Sequence, residues 1–426
     1  MALHNAKVEA GAPASRMRVH SEIGRIEALL CHTPGPELLA VTPATREDFL
    51  YDDIIDLELA RREHQRFKAI LSRFAEVYEV RELLEDVLEM PEVRPFLIER
   101  VTDVARSEPL AKHLLEKPAA ELVSMFIEGW EAEHPGPLQR LLNLESYVLP
   151  PLPNLYFTRD ASMVVGDGVL IGSMRHTVRW TEEILMKALF TYHPQLANRG
   201  LIYDGSEERR AGYTIEGGDV HILRSDLAII GMSERSSPAA FDVVAGNLVQ
   251  QQGITDILVV IMPPDRAMIH LDMIFSMIDR DHCVIFPPSF VGATRHPVLH
   301  YRARQNDMRE MPNLFAALRQ VGMALEPIFC GGQRRTMQER EQWSSGCNFF
   351  ALRPGLVLGY TRNEETYREL EREAGYRVVA GLEFLTGETD IDEDEKAIVT
   401  FDGSELVRGG GGARCMTMPL RREDVW

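Results

Sequence analysis

Apolar runs separated by short polar turns recur along the chain and predict β-hairpins. Each of four segments begins with polar residues, continues as an apolar run, turns at Gly, Asp or Pro, and returns as a second apolar run. These segments span residues 157–172, 216–231, 270–286 and 346–359. Helices are predicted after three of them, at 181–189, 238–250 and 364–373, and a further apolar strand is predicted at 257–261. The repeating unit is therefore predicted to be strand, strand, helix, strand.

Repetition of such units indicates a radial arrangement, in which equivalent strand ends converge on one axis. An apolar strand at 24–31 and the segment around Cys415 would complete a fifth unit. The sequence therefore predicts an α/β fold whose hairpin starts face a common centre. The alternative left open is a set of unrelated hairpins with ordinary polar starts.

One region interrupts the repeat. Between residues 81 and 143 the apolar residues recur at three- and four-residue spacing, and prolines separate the stretches. This spacing predicts several short helices. We therefore predict a catalytic domain formed by residues 1–80 and 144–426, and an inserted helical module at 81–143 that acts as a lid or packing module.

Candidate functional residues stand where the hairpins begin. Asp160 opens the first hairpin, Glu216 the second, and His270 and Asp272 the third. Because residues two apart point to the same side of a strand, His270 and Asp272 are expected to face one centre. Cys415 follows four consecutive glycines, whose missing Cβ atoms allow a ligand to approach the backbone closely.

These residue types fit covalent chemistry on a planar cation. A Cys/His pair suits nucleophilic catalysis, and two aspartates can accept the N–H donors of a guanidinium. Glu216 is expected to orient His270 and keep it protonated. Arg408 and Arg414 flank the glycines and are expected to favour the thiolate of Cys415. A metal site is the rival interpretation, but the sequence has no HExxH or paired-histidine motif, so no metal is predicted.

Composition favours a soluble globular protein and disfavours membrane, secreted and nucleic-acid-binding classes. The hydrophobic content of 45% and charged content of 26% are typical of a soluble globular protein, and no apolar run is long enough to cross a bilayer. Residues 1–18 have no apolar core of the kind a secretory signal needs. The formal net charge of −19 disfavours nonspecific nucleic-acid binding. Five scattered cysteines favour free thiols in a reducing cytoplasm.

Several motifs, in order along the chain, carry a resemblance to a known family. The chain resembles arginine deiminases, members of the guanidino-group-modifying or pentein superfamily, over almost its whole length. The resemblance rests on the sequences PGPEL at 34–38, LPNLYFTRD at 152–160, IEGGD at 215–219, GMSER at 231–235, IHLD at 269–272 and ARCM at 413–416. It implies a fivefold pseudosymmetric α/β propeller of ββαβ units with an α-helical insertion.

The same resemblance implies an activity and its residues. It implies hydrolysis of free L-arginine to L-citrulline and ammonia without a cofactor, in a dimer or larger homo-oligomer. Cys415 would attack the guanidinium carbon and form a covalent thiouronium intermediate. Asp160 and Asp272 would hold the guanidinium nitrogens. His270 would protonate the departing ammonia and then activate water, with support from Glu216.

The resemblance also implies contacts at the amino-acid end of the substrate. Arg179 and Arg235 would hold the α-carboxylate, and Asn154 and Phe157 would line this end of the pocket. Many members of the family carry an arginine five residues before the cysteine, where this chain has Gly410. The family's usual threonine after the His-Leu-Asp motif is Met273 here. Another guanidino compound or an arginine derivative is therefore left open as the substrate.

Two further functions are left open by the sequence. An amidinotransferase uses a similar Cys, His and Asp set but passes the amidino group to an amine, and a non-enzymatic arginine sensor could share the scaffold. The sensor is disfavoured because binding alone needs no nucleophile. The helical insertion and the context of Glu216 favour the deiminase.

Overall fold

The four predicted hairpins are present in the structure, a computed structural model that describes residues 15–105, 108–131, 136–142, 147–207 and 212–426. Residues 1–14, 144–146 and 208–211 of the predicted catalytic domain and residues 106–107, 132–135 and 143 of the predicted insertion lie outside this part of the chain. Within it, no helix is long and apolar enough to cross a membrane.

The strands within the described ranges are β1 Ile26–Cys31, β2 Glu76–Glu79, β3 Trp130–Glu131, β4 Tyr147–Leu149, β5 Ser162–Val165, β6 Gly168–Ile171, β7 Leu201–Asp204, β8 Val220–Arg224, β9 Leu227–Met232, β10 Asp256–Ile261, β11 Phe275–Met277, β12 His282–Ile285, β13 Val298–Arg302, β14 Asp307–Met311, β15 Glu326–Phe329, β16 Phe350–Arg353, β17 Leu356–Tyr360, β18 Arg377–Ala380, β19 Ala397–Phe401 and β20 Met418–Arg422.

The helices of the same ranges are α1 Leu57–Leu71, α2 Val80–Leu88, α3 Val93–Ala105, α4 Glu108–Leu115, α5 Ala119–Glu128, α6 Pro137–Leu142, α7 Thr158–Ala161, α8 Trp180–Tyr192, α9 Pro238–Asn247, α10 Pro287–Phe290, α11 Leu314–Gln320, α12 Arg335–Trp343, α13 Glu364–Ala374 and α14 Gly381–Thr386. Short 3₁₀ turns between them carry several of the residues that matter below.

The sheets repeat one pattern, in which an antiparallel pair gains a parallel strand after a helix. The strand orders are β5–β6–β7, β8–β9–β10–β13–β14, β11–β12–β15 and β16–β17–β19–β18. In each, the second strand of the hairpin pairs in parallel with a strand that follows a helix, as β6 does with β7 and β9 with β10. The antiparallel pair β13–β14 was not predicted; it extends the sheet of β10.

A fifth sheet joins the two ends of the described chain. Strand β1 pairs antiparallel with β20 and parallel with β2, which follows α1. The predicted fifth unit, built from the strand at 24–31 and the segment after Cys415, is therefore present. The structure is a mixed α/β fold, and the fivefold arrangement about a single axis stays a prediction.

The predicted helical insertion contains helices α2 to α6, together with the short strand β3. These helices are not isolated from the repeated units, since Leu97 and Val101 of α3 lie in the same buried apolar cluster as Leu185 and Leu189 of α8. Burying these faces together stabilises both parts of the chain. The predicted domain boundaries and the role as a lid or packing module stay predictions.

The first three hairpins are preceded by short helical turns, so the predicted placement of Asp160, Glu216, His270 and Asp272 on strands is wrong. Asp160 lies in α7, Glu216 precedes a 3₁₀ turn at Gly217–Asp219, and His270 precedes another at Leu271–Met273. In the third turn the Met273 amide donates to the His270 carbonyl at 3.1 Å. His270 and Asp272 therefore reach the same place from a turn, and the two-residue period of a strand does not apply to them.

Candidate functional site

The five residues predicted as reacting groups lie together in the structure. Asp160, His270 and Cys415 line one small cavity, closed over by the glycine loop at 409–411. Asp272 contacts the thiol of Cys415, and Glu216 contacts the imidazole of His270. All five residues are buried.

The surroundings of the candidate nucleophile favour a protonated thiol. Cys415 is 3% exposed, and its Sγ donates to Asp272 Oδ2 at 3.5 Å. Burial, followed by the negative charges of Asp272 and Asp160, raises the pKa of the Cys415 thiol well above its usual value. A positive charge close to the sulfur is needed to reverse this shift.

Of the two flanking arginines, Arg414 lowers the pKa of the Cys415 thiol as predicted, but burial and the charges of Asp272 and Asp160 outweigh it. The Arg414 guanidinium bonds both oxygens of Glu22, at 3.0 and 3.1 Å, and Asp272 Oδ2 at 2.9 Å. Arg408 pairs with Asp53 near the surface. Their guanidinium groups are engaged by carboxylates, so burial decides the state of the thiol.

Asp160 has a resident guanidinium beside it. Arg179 Nη1 donates to Asp160 Oδ2 at 2.7 Å, and the same arginine bonds both oxygens of Glu182. Arg179 is 3% exposed, and despite its burial the carboxylates of Glu182 and Asp160 raise the pKa of its guanidinium well above the usual value. The two aspartates facing Cys415 thus each have one oxygen already satisfied by an internal arginine.

His270 is held in its charged form by carboxylates. Its Nε2 lies 2.8 Å from Glu216 Oε2, and its Nδ1 lies 3.8 Å from Asp160 Oδ1. Although burial opposes the charge, Asp160 and Glu216 raise the pKa of His270 to about 9. Glu216 is also paired with Arg235, at 3.3 Å, and Arg235 and His270 hold the pKa of Glu216 well below its usual range in spite of burial. The predicted role of Glu216 in keeping His270 protonated agrees with this geometry.

Two buried acceptors in this site have no hydrogen-bond partner among the described residues. They are Asp160 Oδ1 and Asp272 Oδ1. A buried carboxylate oxygen without a donor is costly, and most such atoms in proteins are satisfied. The site therefore has unused capacity for a ligand with several N–H donors.

The cavity itself is small, with a volume of about 20 Å³, enough for about one water molecule. A larger cavity of about 860 Å³ lies beside it and shares Arg266, Ile269 and Gly410 with it. Neither Cys415 nor His270 lines the larger cavity, so the smaller cavity is the candidate catalytic site.

The remaining predicted contacts lie at the rim. Phe157 lines the cavity, and its ring would meet a Cβ at Gly411 at 2.4 Å, so it packs under the glycine loop. Asn154 also lines the cavity, but its Nδ2 donates to the Phe49 carbonyl at 2.8 Å. Arg179 and Arg235 both line the cavity while paired with acidic side chains.

The position of Gly410, where the resembled family often has an arginine, has a left-handed backbone with φ of 87°. A Cβ at this position would meet only Arg266 Nη2, at 3.9 Å. Arg266 in turn donates to the carbonyl of Leu50 at 2.5 Å and to both oxygens of Asp52. A guanidinium from another segment therefore stands close to where the loop lacks one.

A metal site at the same residues fits poorly. Ligand atoms of Asp160, Glu216 and His270 lie within 4.8 Å of one another, as a metal cluster requires. However, Arg179 and Arg235 pair with these carboxylates, and an imidazole charged up to a pH of about 9 has no lone pair to offer. The donor set suits a guanidinium better than a metal ion.

Sequence reasoning missed two residues that hold the site together. Asn348 contacts the thiol of Cys415, and Asp219 accepts from Ser233, Ser236 and the Leu271 amide. Both stand at hairpin starts, the position that identified the reacting groups. Burial raises the pKa of Asp219 to about 6. The remaining cysteines, at positions 31, 283, 330 and 347, are buried and lie outside the lining of this cavity.

The family model and the most similar curated proteins point to the same family. A family model described as arginine deiminase matches residues 47–422. Arginine deiminase from Streptococcus gordonii is 32% identical over 430 residues, which cover 96% of this chain and 99% of that protein. Arginine deiminase from Streptococcus pyogenes serotype M49 is 32% identical over 431 residues, covering 96% of this chain and 98% of that protein.

Solved structures share the fold at much lower identity. A variant of the N-terminal domain of ArgZ, covalently bonded to a reaction intermediate, matches with a TM-score of 0.53 and 14% identity, over 93% of this chain and 98% of that chain. SxtG, an amidinotransferase from Microseira wollei, matches with a TM-score of 0.54 and 11% identity, over 96% of this chain and 98% of that chain. These two likenesses concern the fold alone.

Proposed function

The chain belongs to the arginine deiminase family, and we propose that the residues around the small cavity catalyse hydrolysis of free L-arginine to L-citrulline and ammonia. The reaction passes through a covalent intermediate on Cys415. The observation that carries this proposal is the pair of unpartnered buried oxygens, Asp160 Oδ1 and Asp272 Oδ1. A guanidinium bound to both would satisfy the two acceptors and bring its carbon to the sulfur that contacts Asp272.

The substrate supplies the missing charge for the first step. A bound guanidinium lowers the pKa of the neighbouring thiol because opposite charge favours the ionised form. The thiol of Cys415 loses its proton to solvent, where it converts the released ammonia to ammonium, and the sulfur bonds to the guanidinium carbon. His270 donates its proton to one nitrogen, and the bond between carbon and that nitrogen breaks to release ammonia, leaving a thiouronium on Cys415.

The second step reverses the role of the imidazole. His270, now neutral, takes a proton from water as the water oxygen bonds to the thiouronium carbon. The carbon–sulfur bond breaks, citrulline forms, and Cys415 and His270 return to their protonated states. Glu216 stabilises the charged imidazole at both ends of the cycle through its 2.8 Å contact.

Arg179 and Arg235 bind the substrate α-carboxylate in this proposal, and Asn154 and Phe157 line the same end of the pocket. Both arginines are paired with carboxylates, so substrate binding exchanges or shares these partners. The free thiols support a cytoplasmic location for this reaction. A fivefold propeller and a homo-oligomer complete the proposal and rest on the resemblance.

The test is a product assay with purified protein. L-Arginine without added metal should give equal amounts of ammonia and citrulline, and intact-mass analysis after rapid quenching should show an adduct on Cys415. Cys415→Ser should bind arginine but form no adduct and release no ammonia. Cys283→Ser, which changes a buried cysteine outside the cavity, is the matched control and should retain activity.

Two outcomes would contradict the proposal. Turnover of arginine by Cys415→Ser at the parent rate would exclude the covalent mechanism. Absence of ammonia release from arginine, with turnover of another guanidino compound, would keep the chemistry and exclude the substrate.

A further inference from the structure

Asn348 has an unusual set of contacts around the nucleophile. It is 1% exposed and lies at the start of the fourth hairpin, just before β16. Its Nδ2 donates to Cys415 Sγ at 3.1 Å and to the Asp272 carbonyl at 3.1 Å. Its Oδ1 accepts from the backbone amides of Arg414 and Cys415, at 2.9 and 3.2 Å.

These contacts fix which end of the amide faces the sulfur. The two backbone N–H groups can only donate, so the atom facing them must be the carbonyl oxygen. The NH₂ group is then left facing Cys415 Sγ and the Asp272 carbonyl, which are both acceptors. The partners of the Asn348 amide therefore fix its orientation.

The surroundings of the sulfur mostly oppose its negative charge. Asp272 and Asp160 face it with negative charge, and Tyr156 and Tyr360 lie near it as neutral phenols. The Gly412 backbone N–H and Arg414 lower the pKa of the thiol, but burial and the two carboxylates outweigh them. Among the described residues, Asn348 is the side chain that donates a hydrogen bond to this sulfur. The loop that brings them together is closely packed, since a Cβ at Gly412 would lie 2.8 Å from Asn348 Oδ1.

We propose that Asn348 is a positioning residue that stabilises the thiolate of Cys415 and aims it at the guanidinium carbon held by Asp160 and Asp272. This inference rests on the proposed role of Cys415 as nucleophile. The Nδ2–H bond strengthens when the sulfur becomes an anion, because hydrogen bonds to charged groups are stronger than those between neutral ones. It therefore favours ionisation at the moment the substrate arrives.

Asn348→Asp tests the hydrogen bond to the sulfur with the smallest change of shape. A carboxylate has nearly the same shape and can still accept from the two backbone amides, but it presents an oxygen to the sulfur in place of the N–H group. Asn348→Ala removes both the donor and the acceptor. Asn363→Ala is the matched control, because Asn363 is also 1% exposed and donates one bond, to the Ser344 carbonyl, but does not line the catalytic cavity.

The readout is the pH dependence of Cys415 alkylation by iodoacetamide, followed by mass analysis of the Cys415 peptide and by loss of activity. Loss of a hydrogen bond to a charged group changes a pKa by about one to two units. The midpoint pH of Cys415 alkylation should therefore rise by that amount in Asn348→Ala and by more in Asn348→Asp. Because the contact matters most in the reacting state, kcat should fall about 10- to 100-fold while KM changes less than about threefold. Asn363→Ala should keep the parent midpoint.

An unchanged midpoint and unchanged kcat in folded Asn348→Asp would overturn the proposal. If Asn348→Ala does not fold, the comparison of Asn348→Asp with the parent decides alone. If alkylation of Cys415 in the parent leaves activity intact, the proposed nucleophile is wrong. If alkylation inactivates the parent but the variants share its midpoint, only the role of Asn348 is wrong.

Discussion

Each residue around the thiol is held in a charge state set by its neighbours. Asp160 and Asp272 each have an arginine on one oxygen and no hydrogen bond on the other among the described residues, and Cys415 lies beside them as a neutral thiol. His270 carries a proton up to a pH of about 9 because of Asp160 and Glu216. The site is therefore arranged to receive a cation and to donate a proton to it.

Glu216→Gln should move the alkaline limit of activity. As a general acid, His270 works in its protonated form, so kcat/KM is present below its pKa of about 9 and is lost above it. Removing the carboxylate 2.8 Å from Nε2 lowers that pKa, and the limit should fall by about one to two pH units. The measurement is kcat/KM for arginine across the neutral and alkaline range.

Glu234→Gln is the control for this shift, since Glu234 is half-buried and lies 3.7 Å from His176 instead. Its alkaline limit should match that of the parent. An unchanged limit in Glu216→Gln would mean that His270 does not set it. The raised pKa also stabilises the fold, with the full contribution below the usual histidine pKa and its loss as pH rises through about 9.

At this scale the sequence identified the residues that meet in the candidate site and the charge expected on His270, but not the state of the Cys415 thiol. Asp160, Glu216, His270, Asp272 and Cys415 were predicted from hairpin starts and the glycine loop, and the structure brings all five together. The protonated thiol was not predicted, because sequence proximity placed Arg414 next to the sulfur. In the fold Arg414 reaches Glu22, which is far away along the chain.

At the scale of elements, the site is built from short turns that precede strands. Asp219, in the turn at 217–219, joins this turn to the one at 271–273 because its carboxylate accepts from the Leu271 amide. The same carboxylate also accepts from Ser236. Apolar runs between polar turns predicted the hairpins well, since the strands of each are largely buried. The turns before them could not be predicted from periodicity, because three or four residues are too few to show a helical period.

Gly412→Ala tests how tightly the C-terminal loop must pack on the fourth hairpin. The new Cβ would lie 2.8 Å from Asn348 Cβ and 2.9 Å from Ser345 Cβ, so one of the two segments must move. Overpacking of this kind costs about 1–3 kcal/mol of unfolding free energy. The shift also separates Asn348 from Cys415, so kcat should fall at least about tenfold, as for the loss of one charged hydrogen bond.

Gly246→Ala is the control for this substitution. Gly246 lies in α9, and a Cβ there would meet nothing within 4 Å. The alanine should raise the free energy of unfolding by about 0.5–1 kcal/mol, as expected in a helix, and leave kcat unchanged. Chemical denaturation and steady-state kinetics measure both effects. A Gly412→Ala protein with parental kcat would show that the close packing is not needed for catalysis.

At the scale of the whole molecule, the repeat predicted from the sequence is present as sheets of one pattern, and the two ends of the described chain share a sheet. The packing of the helical region was less predictable. Its helices share a buried cluster with α8, which lies in a repeated unit. Helical periodicity shows that a face is apolar but does not show which partner will cover it.

The net negative charge of the protein is expected to increase its rate of encounter with a cationic substrate. A net charge of −19 attracts the cationic substrate and enriches it near the protein. Raising the ionic strength from about 0.05 M to about 0.5 M should therefore lower kcat/KM for arginine several-fold by screening. Inactivation by iodoacetamide, a neutral reagent, is the control and should not respond. An equal response of both rates would remove attraction by charge as the cause.

The size of the cavity has a consequence for the durability of the protein. About 20 Å³ leaves room for little more than one water molecule beside Cys415, and the sulfur there is protonated. Oxidation by peroxide requires a thiolate, and at neutral pH the protein without substrate keeps this sulfur protonated. The proposed nucleophile is thus open to oxidation mainly during turnover, so oxidative inactivation should accumulate with the number of catalytic cycles and much less with time in storage at neutral pH.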